Sequence, residues 1–461
     1  MGNLDKSPDV LVVGGGHAGL CAAITAREAG ASVVLIEAGT HATRGGNSRH
    51  TRNLRAMHRE PTATLIDRYT EDEYWQDLQR VTQGKTNEEL ARLVIRESET
   101  LLAWLCQRGV HFQPSLKGTL SLERTNAFFL GGGCALMNTL YRYAEDIGIN
   151  VHYEQEVQEI NLQDETFQYV ATQATKYHAD QVVFASGGFQ ANIPWMIEAW
   201  GAGAENFLIR GTELNKGYVL QALMTQGVAT IGDPTQCHAV AIDARAPKFD
   251  GGIVSRLDSV PFGIVVNQAG ERFYDEGEDL WPKRYAIWGR LVANQPDQIA
   301  YSIIDSTATQ HFMPSVFPPI EANTLPELAQ AIDVPVKAFV ETVERFNQAT
   351  TEGKFDGTTL DGLSTVGLEI NKTNWAQPIT EPPFLAYPLR PGITFTYFGL
   401  KVDAQARVYM ANGEPSANMF AAGEIMAGNV LGQGYCAGTG MTIGGVFGRI
   451  AGAQAARVAT P

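Results

Sequence analysis

A short glycine-rich segment near the N-terminus places the strongest restriction on how this chain can fold. The segment VVGGGHAGL occupies positions 12–20, after the β-branched run Asp9–Val13 and overlapping the small-residue stretch Ala18–Ala29. Gly30 ends that stretch, and Ser32–Glu37 has the composition of a second buried strand. A strand, a glycine turn, a helix and a second strand in this order predict a β-loop-α-β unit within an α/β fold.

Three glycines of this segment are spaced as in a dinucleotide-binding turn. Gly14 allows the tight turn, Gly16 lets a pyrophosphate approach the backbone, and Gly19 lets the helix pack on the strand. The N-terminus of the helix favours the negative charge of the phosphates. Glu37 ends the second strand, where it can accept a hydrogen bond from a ribose hydroxyl, and Ala38 follows it. Together these residues predict a dinucleotide site.

Three later glycine-containing segments favour FAD over NAD as that dinucleotide. They are Gly45–Ser48, Ala185–Phe189 and Ala421–Glu424. Because the flavin ring lies far from the adenine, FAD needs loops distributed along the whole chain, whereas a nicotinamide domain does not require the C-terminal segment. The candidate FAD contacts in these segments are Gly46, Asn47, Ser48, Ala185, Gly187, Gly423 and Glu424.

Charge and cysteine usage argue against several other kinds of site. The formal net charge of −15 over 461 residues disfavours a nucleic-acid partner. The five cysteines are scattered without a CxxC pair, so we predict no metal site, iron–sulfur cluster or disulfide framework. The polar N-terminus indicates no signal peptide, and no apolar run is long enough to span a bilayer. We therefore expect a cytoplasmic protein that meets the inner membrane only peripherally, through a partner.

Changes in composition along the chain predict two domains. Proline, aspartate and aromatic residues become more frequent after about residue 233, and the earlier α/β pattern returns near residue 391. We predict a discontinuous Rossmann-like FAD-binding domain formed by residues 1–232 and 391–461, with an inserted α+β capping domain at 233–390. Residues 61–108 have helical periodicity, and a glycine-led helix is expected to run to the C-terminus.

Motifs along the whole chain resemble those of one flavoprotein family. They are GGGHAGL, GGNS, a GGG turn before a helix, ASGGF, VNQAGERF, PGITFTYFG, FAAGE and FGRIAG. In these motifs the chain is similar to the fumarate reductases, succinate dehydrogenases and 3-ketosteroid Δ1-dehydrogenases. The segments RGGNSRHTRNLR, RTNAFFLGGG and RFYDEGEDLWPKRYAIWGR resemble the branch that oxidises tricarballylate to cis-aconitate, of which a cobalamin-pathway flavoprotein is a near relative.

The resemblance implies further contacts near the flavin. Thr51 and Asn53 lie in a segment that the family places near flavin N5, and Arg52 or Arg55 in the same segment would add a carboxylate contact. Val157 belongs to a matching Glu-Val pair and is a further candidate FAD contact.

The C-terminal segment QGYCAGTGMTIGG lies against the isoalloxazine in this family. Backbone N–H groups of Met441, Thr442 and Ile443 are therefore expected to face the pyrimidine carbonyls, with the positive end of the following helix beside the ring. His50 follows the pair Gly45-Gly46, whereas the histidine that tethers FAD in succinate dehydrogenases precedes its glycine pair. We expect FAD to be bound non-covalently.

Oxidation of a C–C bond beside a carboxylate needs cations for the carboxylates, a base for the α proton and a hydride placed over the flavin. His238, in PTQCHAV, matches a family histidine that binds a substrate carboxylate. Counting from the GxRF segment places the family's proton-transferring arginine at Leu280, so Arg284 is the predicted acid–base or clamping group, with Lys283 as second choice. Arg256 stands where the family has a relay arginine.

Two departures from the family pattern concern the substrate. Thr394 and Phe395 replace two family histidines, and Tyr435 replaces an arginine. One carboxylate clamp is therefore missing in its usual form, which argues against plain fumarate or succinate. Tyr435 resembles the tyrosine that polarises a carbonyl in ketosteroid dehydrogenases. It either donates to a substrate carboxylate, with Arg390 adding charge, or packs on the flavin in a structural role.

These features predict an FAD-dependent dehydrogenase of a small polycarboxylate, with tricarballylate as the leading substrate. Its electrons would leave to a separate acceptor, and the family resemblance suggests a membrane iron–sulfur and cytochrome protein. Two alternatives stay open: oxidation of a larger carbonyl or tetrapyrrole substrate, and a flavin redox sensor that acts through a protein partner.

Overall fold

The structure is a computed structural model that describes residues 7–114 and 122–459. In chain order the strands of these residues are β1 (Val10–Val13), β2 (Val33–Ile36), β3 (Asn53–Arg55), β4 (Asn126–Phe128), β5 (Asn150–His152), β6 (Val157–Gln163), β7 (Thr166–Thr172), β8 (Lys176–His178), β9 (Gln181–Phe184), β10 (Leu208–Ile209), β11 (Thr230–Ile231), β12 (Cys237–Asp243), β13 (Ile264–Asn267), β14 (Ala300–Asp305), β15 (Ile320–Ala322), β16 (Phe384–Thr396), β17 (Gly399–Leu400), β18 (Arg407–Tyr409) and β19 (Pro415–Ala421). The helices are α1 (His17–Glu28), α2 (Glu71–Thr82), α3 (Glu88–Gln107), α4 (Gly132–Asp146), α5 (Ile193–Trp200), α6 (Tyr218–Met224), α7 (Trp281–Arg284), α8 (Trp288–Ala293), α9 (Leu325–Ala331), α10 (Val336–Ala349) and α11 (Thr439–Ala459).

A six-stranded sheet carries the N-terminal glycine segment. Its strand order is β18-β19-β9-β1-β2-β5, and every neighbouring pair is parallel except β18 with β19. All four residues of β1 are buried, as expected for a strand in the middle of a parallel sheet with both faces covered. The predicted β-loop-α-β unit is therefore present as β1, α1 and β2.

A second sheet is built mainly from the predicted capping region. Its strand order is β10-β16-β14-β13, and β12 and β15 also pair with β16. The long strand β16 runs through the predicted boundary at residue 391, and β10 joins the same sheet from residues before 233. The division into 1–232, 233–390 and 391–461 stays a prediction, and these two strands connect the segments.

Helix ends follow their capping residues rather than the limits of the periodic pattern. Within the predicted helical stretch 61–108, α2 begins after Thr70, whose side chain forms a capping box with Glu73. Asn87 caps α3 in the same way, by accepting a hydrogen bond from the Leu90 N–H. Residues 61–70 are not helical, because the backbone of His58 pairs with that of Tyr69.

Close packing of α1 against α11 brings both helix N-termini to one place. A Cβ atom on Gly448 would lie 2.4 Å from the Ala18 carbonyl oxygen, and one on Gly452 would lie 2.2 Å from the Ala22 carbonyl oxygen. Only glycine permits this approach. As a result, two helices from opposite ends of the chain point their positive ends toward the same cavity.

Candidate active site

The cavity lies at the carboxyl ends of β1, β2 and β9, the usual ligand position in an open parallel sheet. It contains about 1740 Å³ of space free of protein atoms, including solvent at its mouth. Its lining includes the glycine turn, Glu37 and the start of α11, so it suits a dinucleotide together with a substrate. Many of the predicted FAD contacts line it: Gly14, Gly16, Glu37, Ala38, Gly46, Asn47, Ser48, Thr51, Asn53, Val157, Ala185, Gly187, Gly423, Glu424 and Met441.

The glycine turn shows whether this cavity can accept the phosphates of FAD. Gly14 has φ +103°, and a Cβ there would lie 2.5 Å from the Ala185 carbonyl oxygen. A Cβ on Gly16 would meet no protein atom nearer than 3.6 Å, so the space before the turn is open to a ligand. Gly19 lies behind the cavity, where its missing side chain lets α1 approach Gly14. The arrangement fits the dinucleotide.

The start of α11 differs in detail from the expectation. Met441 lines the cavity, but its N–H and that of Thr442 both donate to the Gly438 carbonyl oxygen, at 3.1 and 3.2 Å. Ile443 is fully buried behind them. These N–H groups are engaged because the helix already begins at Thr439, so they do not face the cavity as predicted. The positive end of α11 still lies at the cavity.

Three arginines from distant segments line the other end of the cavity. They are Arg52, Arg210 and Arg256. Burial, together with repulsion from the neighbouring arginines, lowers the pKa of Arg52 and of Arg210 to about 10. Arg256 is paired with Asp258, Nε to Oδ1 at 2.8 Å. Burial acts to raise the pKa of Asp258, but Arg256 keeps that pKa below its ordinary value.

Arg52 is the least satisfied of the three. Its Nε is buried without a hydrogen-bond partner, and its side chain makes no ion pair or hydrogen bond with any described residue. Arg210 instead donates to the Thr394 hydroxyl at 2.9 Å. Thr394, at the position of a family histidine, therefore positions an arginine. A buried cation without a counter-ion is costly unless an anionic ligand pairs with it.

Two tyrosines and a histidine complete this end. The rings of His238 and Tyr435 stack with centroids 3.9 Å apart, and Tyr285 lies edge-on to His238 at 5.8 Å. Burial, with Arg210 and Arg256 nearby, lowers the pKa of His238 well below its ordinary value, so the imidazole is neutral. Its Nδ1 is buried without a partner among the described residues. The Tyr435 hydroxyl accepts the Gly440 N–H at 3.2 Å and keeps its own proton to donate.

Three arginines proposed from the sequence lie outside the cavity lining. Arg284 forms an ion pair with Glu278 and also donates to the Tyr274 hydroxyl. Arg390 donates to the Asp297 carbonyl oxygen at 2.8 Å, and Arg55 is paired with Asp77. Arg284 lies near the position that counting along the chain gives, but the acidic loop before it folds back and takes its charge. The structure does not support the predicted roles of Arg284 and Arg390.

Arg210 and Tyr285 line the cavity but were not predicted. Arg210 follows the two-residue strand β10, which pairs with β16 beside Gly392. Tyr285 directly follows Arg284 at the end of α7. A polar residue immediately after a short apolar strand was the available signal for Arg210. For Tyr285 the signal was its place next to Arg284 in a helical turn. Consecutive residues of a turn face different directions, so one of the two can line the cavity while the other does not.

Comparison with known proteins decides the family. The family described as "FAD binding domain" matches residues 9–443. This chain belongs to that family. The predicted fold class and the predicted cofactor, FAD, are thereby confirmed. The candidate FAD contacts from both ends of the chain meet at the cavity. Whether FAD is covalently attached stays a prediction, although His50 is engaged by Asp250 at 2.7 Å.

Relatives of this FAD-binding chain include oxidoreductases of small unsaturated acids. NADH:fumarate oxidoreductase of Klebsiella pneumoniae (strain 342) is 26% identical over 98% of the chain, and the chain spans 48% of that relative's length. The structure of the open conformation of a flavocytochrome c3 fumarate reductase matches with a TM-score of 0.77 at 22% identity. The match covers 100% of this chain and 80% of the reductase chain.

A steroid enzyme shares the fold equally well. The 3-ketosteroid-Δ4-(5α)-dehydrogenase of Rhodococcus jostii RHA1 has a TM-score of 0.74 at 22% identity, over 99% of this chain and 98% of its own. Fold similarity at this identity does not distinguish the two substrate classes.

The helices and side chains of residues 7–114 and 122–459 bear on membrane and metal binding. None of the helices found there combines the length and the apolar character that crossing a bilayer requires. The same residues contain no cluster of three or more His, Cys, Asp or Glu side chains arranged to hold a metal ion.

Glu424 gives a prediction for stability against pH. Burial raises the pKa of this carboxyl from its ordinary 4.5 to about 7, although Thr396 donates to it at 2.9 Å. The folded protein therefore holds a proton that the unfolded chain loses, and its stability falls as pH rises from about 4.5 to 7. Thermal unfolding of the FAD-loaded protein should show Glu424→Gln gaining Tm relative to wild type between pH 5 and pH 8. If the difference in Tm between the two proteins is the same at pH 5 and at pH 8, the prediction is wrong.

Proposed function

We propose that this protein is an FAD-dependent dehydrogenase that introduces a double bond beside a carboxylate of a small polycarboxylate. The leading substrate is tricarballylate, with cis-aconitate as product. The observation that carries the proposal is the convergence of Arg52, Arg210 and Arg256 on the cavity that the FAD-binding segments line.

The charge balance of this cluster supports an anionic substrate. Among the described residues, Asp258 is the only carboxylate that forms an ion pair with any of the three guanidinium groups, which leaves an excess of two positive charges in this cluster. A substrate with two or three carboxylates offsets that excess, whereas a neutral steroid leaves it unpaired. The relative from Klebsiella pneumoniae is an oxidoreductase of fumarate, a small dicarboxylate, which is consistent with this class.

Substitutions around the cluster support a substrate other than fumarate. Thr394 and Tyr435 stand where fumarate reductases carry a histidine and an arginine. Both lie at the cavity, where Thr394 holds Arg210 and Tyr435 offers a hydroxyl donor. Neutral His238 can donate or accept a hydrogen bond at its free Nδ1. These groups suit additional carboxylate oxygens, as in a tricarboxylate.

The residues that would hold FAD are those around the glycine turn, the segment after Gly45 and the start of α11. Bound FAD supplies a two-electron acceptor for the hydride. We propose a separate acceptor for its electrons, of the membrane iron–sulfur and cytochrome type, met by a cytoplasmic protein at the membrane surface.

The test is anaerobic stopped-flow bleaching of bound FAD. Tricarballylate is expected to bleach the flavin absorbance at least tenfold faster than succinate, and a 3-ketosteroid is expected to leave it unchanged. Tyr435 and Phe395 at the cavity are the observations that favour the larger carbonyl substrate, so bleaching by the steroid alone would replace the proposal. Absence of bleaching by every acid would remove it.

Arg284 provides a prediction that tests the role inferred from its sequence motif against its location in the structure. Because its charge is paired with Glu278 away from the cavity, Arg284→Gln should leave the rate of flavin bleaching within about threefold of wild type. The rate is measured in the same stopped-flow assay. A loss of a hundredfold or more, typical of a missing acid–base group, would restore the role inferred from the sequence.

A further inference from the structure

Tyr285 is a buried tyrosine whose hydroxyl has no partner in the part of the chain that the structure describes. It lines the cavity with 6% of its surface exposed, and its hydroxyl makes no hydrogen bond with any described residue. Its ring is fixed by the Arg256 guanidinium 4.8 Å from the centroid and by His238 edge-on at 5.8 Å. A buried phenol usually bonds to the protein, so a free one at a cavity is available to a ligand.

Burial keeps the Tyr285 phenol protonated at neutral pH, because its pKa is raised overall, although three guanidinium groups nearby oppose that effect. These groups belong to Arg256, Arg52 and Arg210. Other titratable groups near it are His238, Tyr397, Tyr435 and Cys436, none of which is cationic at neutral pH. A phenolate formed during a reaction would therefore be stabilised by three guanidinium groups.

Other candidates for proton transfer are less suited. Arg284 is paired outside the cavity. Protonation of His238 would place a third cation beside Arg210 and Arg256. Asp258 is held by Arg256 and the Trp281 indole, and Glu424 accepts a hydrogen bond from the Thr396 N–H.

We propose that the Tyr285 hydroxyl is the group that exchanges the α proton of the substrate. The inference rests on the proposed polycarboxylate function. In oxidation, the C–H bond next to a carboxylate breaks and its proton passes to the phenolate oxygen. Bound FAD would be the two-electron oxidant that takes the hydride from the neighbouring carbon, and the C=C bond would form between the two carbons. In the reverse direction the phenol gives the proton back.

The pH dependence of the two directions follows from this assignment. Oxidation requires the phenolate, so its rate should rise with pH until the phenol is fully ionised. Reduction of the unsaturated acid requires the phenol, and its rate should fall over the same range. His238 and Tyr435 would be in the same state for both directions of the reaction. They therefore do not explain rates of oxidation and reduction that change with pH in opposite senses.

The experiment compares Tyr285→Phe with Tyr274→Phe in the FAD-loaded protein. Tyr274 is the matched control, because its hydroxyl pairs with Glu278 and Arg284 away from the cavity. Tyr285→Phe should lower the rate of flavin reduction by about 10²- to 10⁴-fold, with the Kd of tricarballylate for the reduced protein within about threefold. Tyr274→Phe should change neither value by more than about threefold.

A second measurement does not depend on turnover. The alkaline difference absorbance of wild type minus Tyr285→Phe should contain one phenolate band, whose onset coincides with the rising limb of the oxidation rate. If Tyr285→Phe loses its FAD, 3-fluorotyrosine at position 285 replaces it, since the more acidic phenol should shift that limb to lower pH.

The outcomes separate this inference from the proposed function. A Tyr285→Phe rate within about threefold of wild type, a Kd increase as large as the rate loss, or a limb that 3-fluorotyrosine does not shift would each overturn the role of Tyr285. If tricarballylate fails but another acid bleaches the flavin, the substrate proposal falls. The same comparison with that acid then decides on Tyr285.

Discussion

Replacing Arg52 with methionine is expected to weaken tricarballylate binding about 100- to 1000-fold, because a buried charge-assisted contact is lost. The same change should leave the Tm of the substrate-free protein unchanged or raised. The Nε of Arg52 is buried without a partner among the described residues, and burial and repulsion from Arg256 oppose its attraction to Asp258, so the ligand-free protein gains little from this cation. Methionine keeps most of the side-chain volume and the contact with the Phe128 ring.

Calorimetric titration with tricarballylate and thermal unfolding measure the two effects. Arg390→Met is the matched control, since Arg390 is bonded to the Asp297 carbonyl outside the cavity lining. It should leave binding within about threefold. A fall in both Tm and affinity for Arg52→Met would show that Arg52 has a structural role and would remove it from the substrate site.

Replacing Gly14 with alanine is expected to give a protein without FAD. The added Cβ would lie 2.5 Å from the Ala185 carbonyl oxygen and 2.9 Å from the Ser186 Cα, both backbone atoms that cannot rotate away. A conflict of this kind costs roughly 4 kcal/mol or more, which corresponds to about a thousandfold in FAD affinity if the loss falls on the turn. Visible absorbance and bound FAD per chain after purification measure the effect.

Gly30→Ala separates backbone strain from that steric conflict. Gly30 has φ +100°, close to the +103° of Gly14, but a Cβ there would meet no atom within 4 Å. It should lower stability by about 1–2 kcal/mol and leave the protein yellow. If both variants kept FAD, the glycine turn would not be the phosphate site; if both lost it, strain alone would explain the effect.

Local patterns predicted the fold and the FAD-binding segments more reliably than the substrate end. The turn at Gly14 and the acid at Glu37 lie within one β-loop-α-β unit, so residue spacing alone brings them together. The start of α11 was placed correctly as an element, but the bonding of the Met441 N–H depended on where the helix begins, which is set by packing around Gly438.

The arginine cluster could not be derived in the same way. Arg52, Arg210 and Arg256 come from three segments whose approach depends on the pairing of β10 with β16 and on the loop after β12. Counting from a motif gives Leu280 and points to Arg284 as the nearby arginine, because the sequence does not show that Glu278 pairs with its charge. Tyr285, one residue further on, lines the cavity instead.

A crystal structure of the FAD-loaded protein with tricarballylate tests the central claim most directly. The account predicts the flavin ring between the start of α11 and the substrate, with carboxylates of tricarballylate bonded to Arg52, Arg210 and Arg256. The carbon α to one carboxylate should lie within reach of the Tyr285 hydroxyl. A flavin bound elsewhere, or a tricarballylate that contacts none of these arginines, would contradict it.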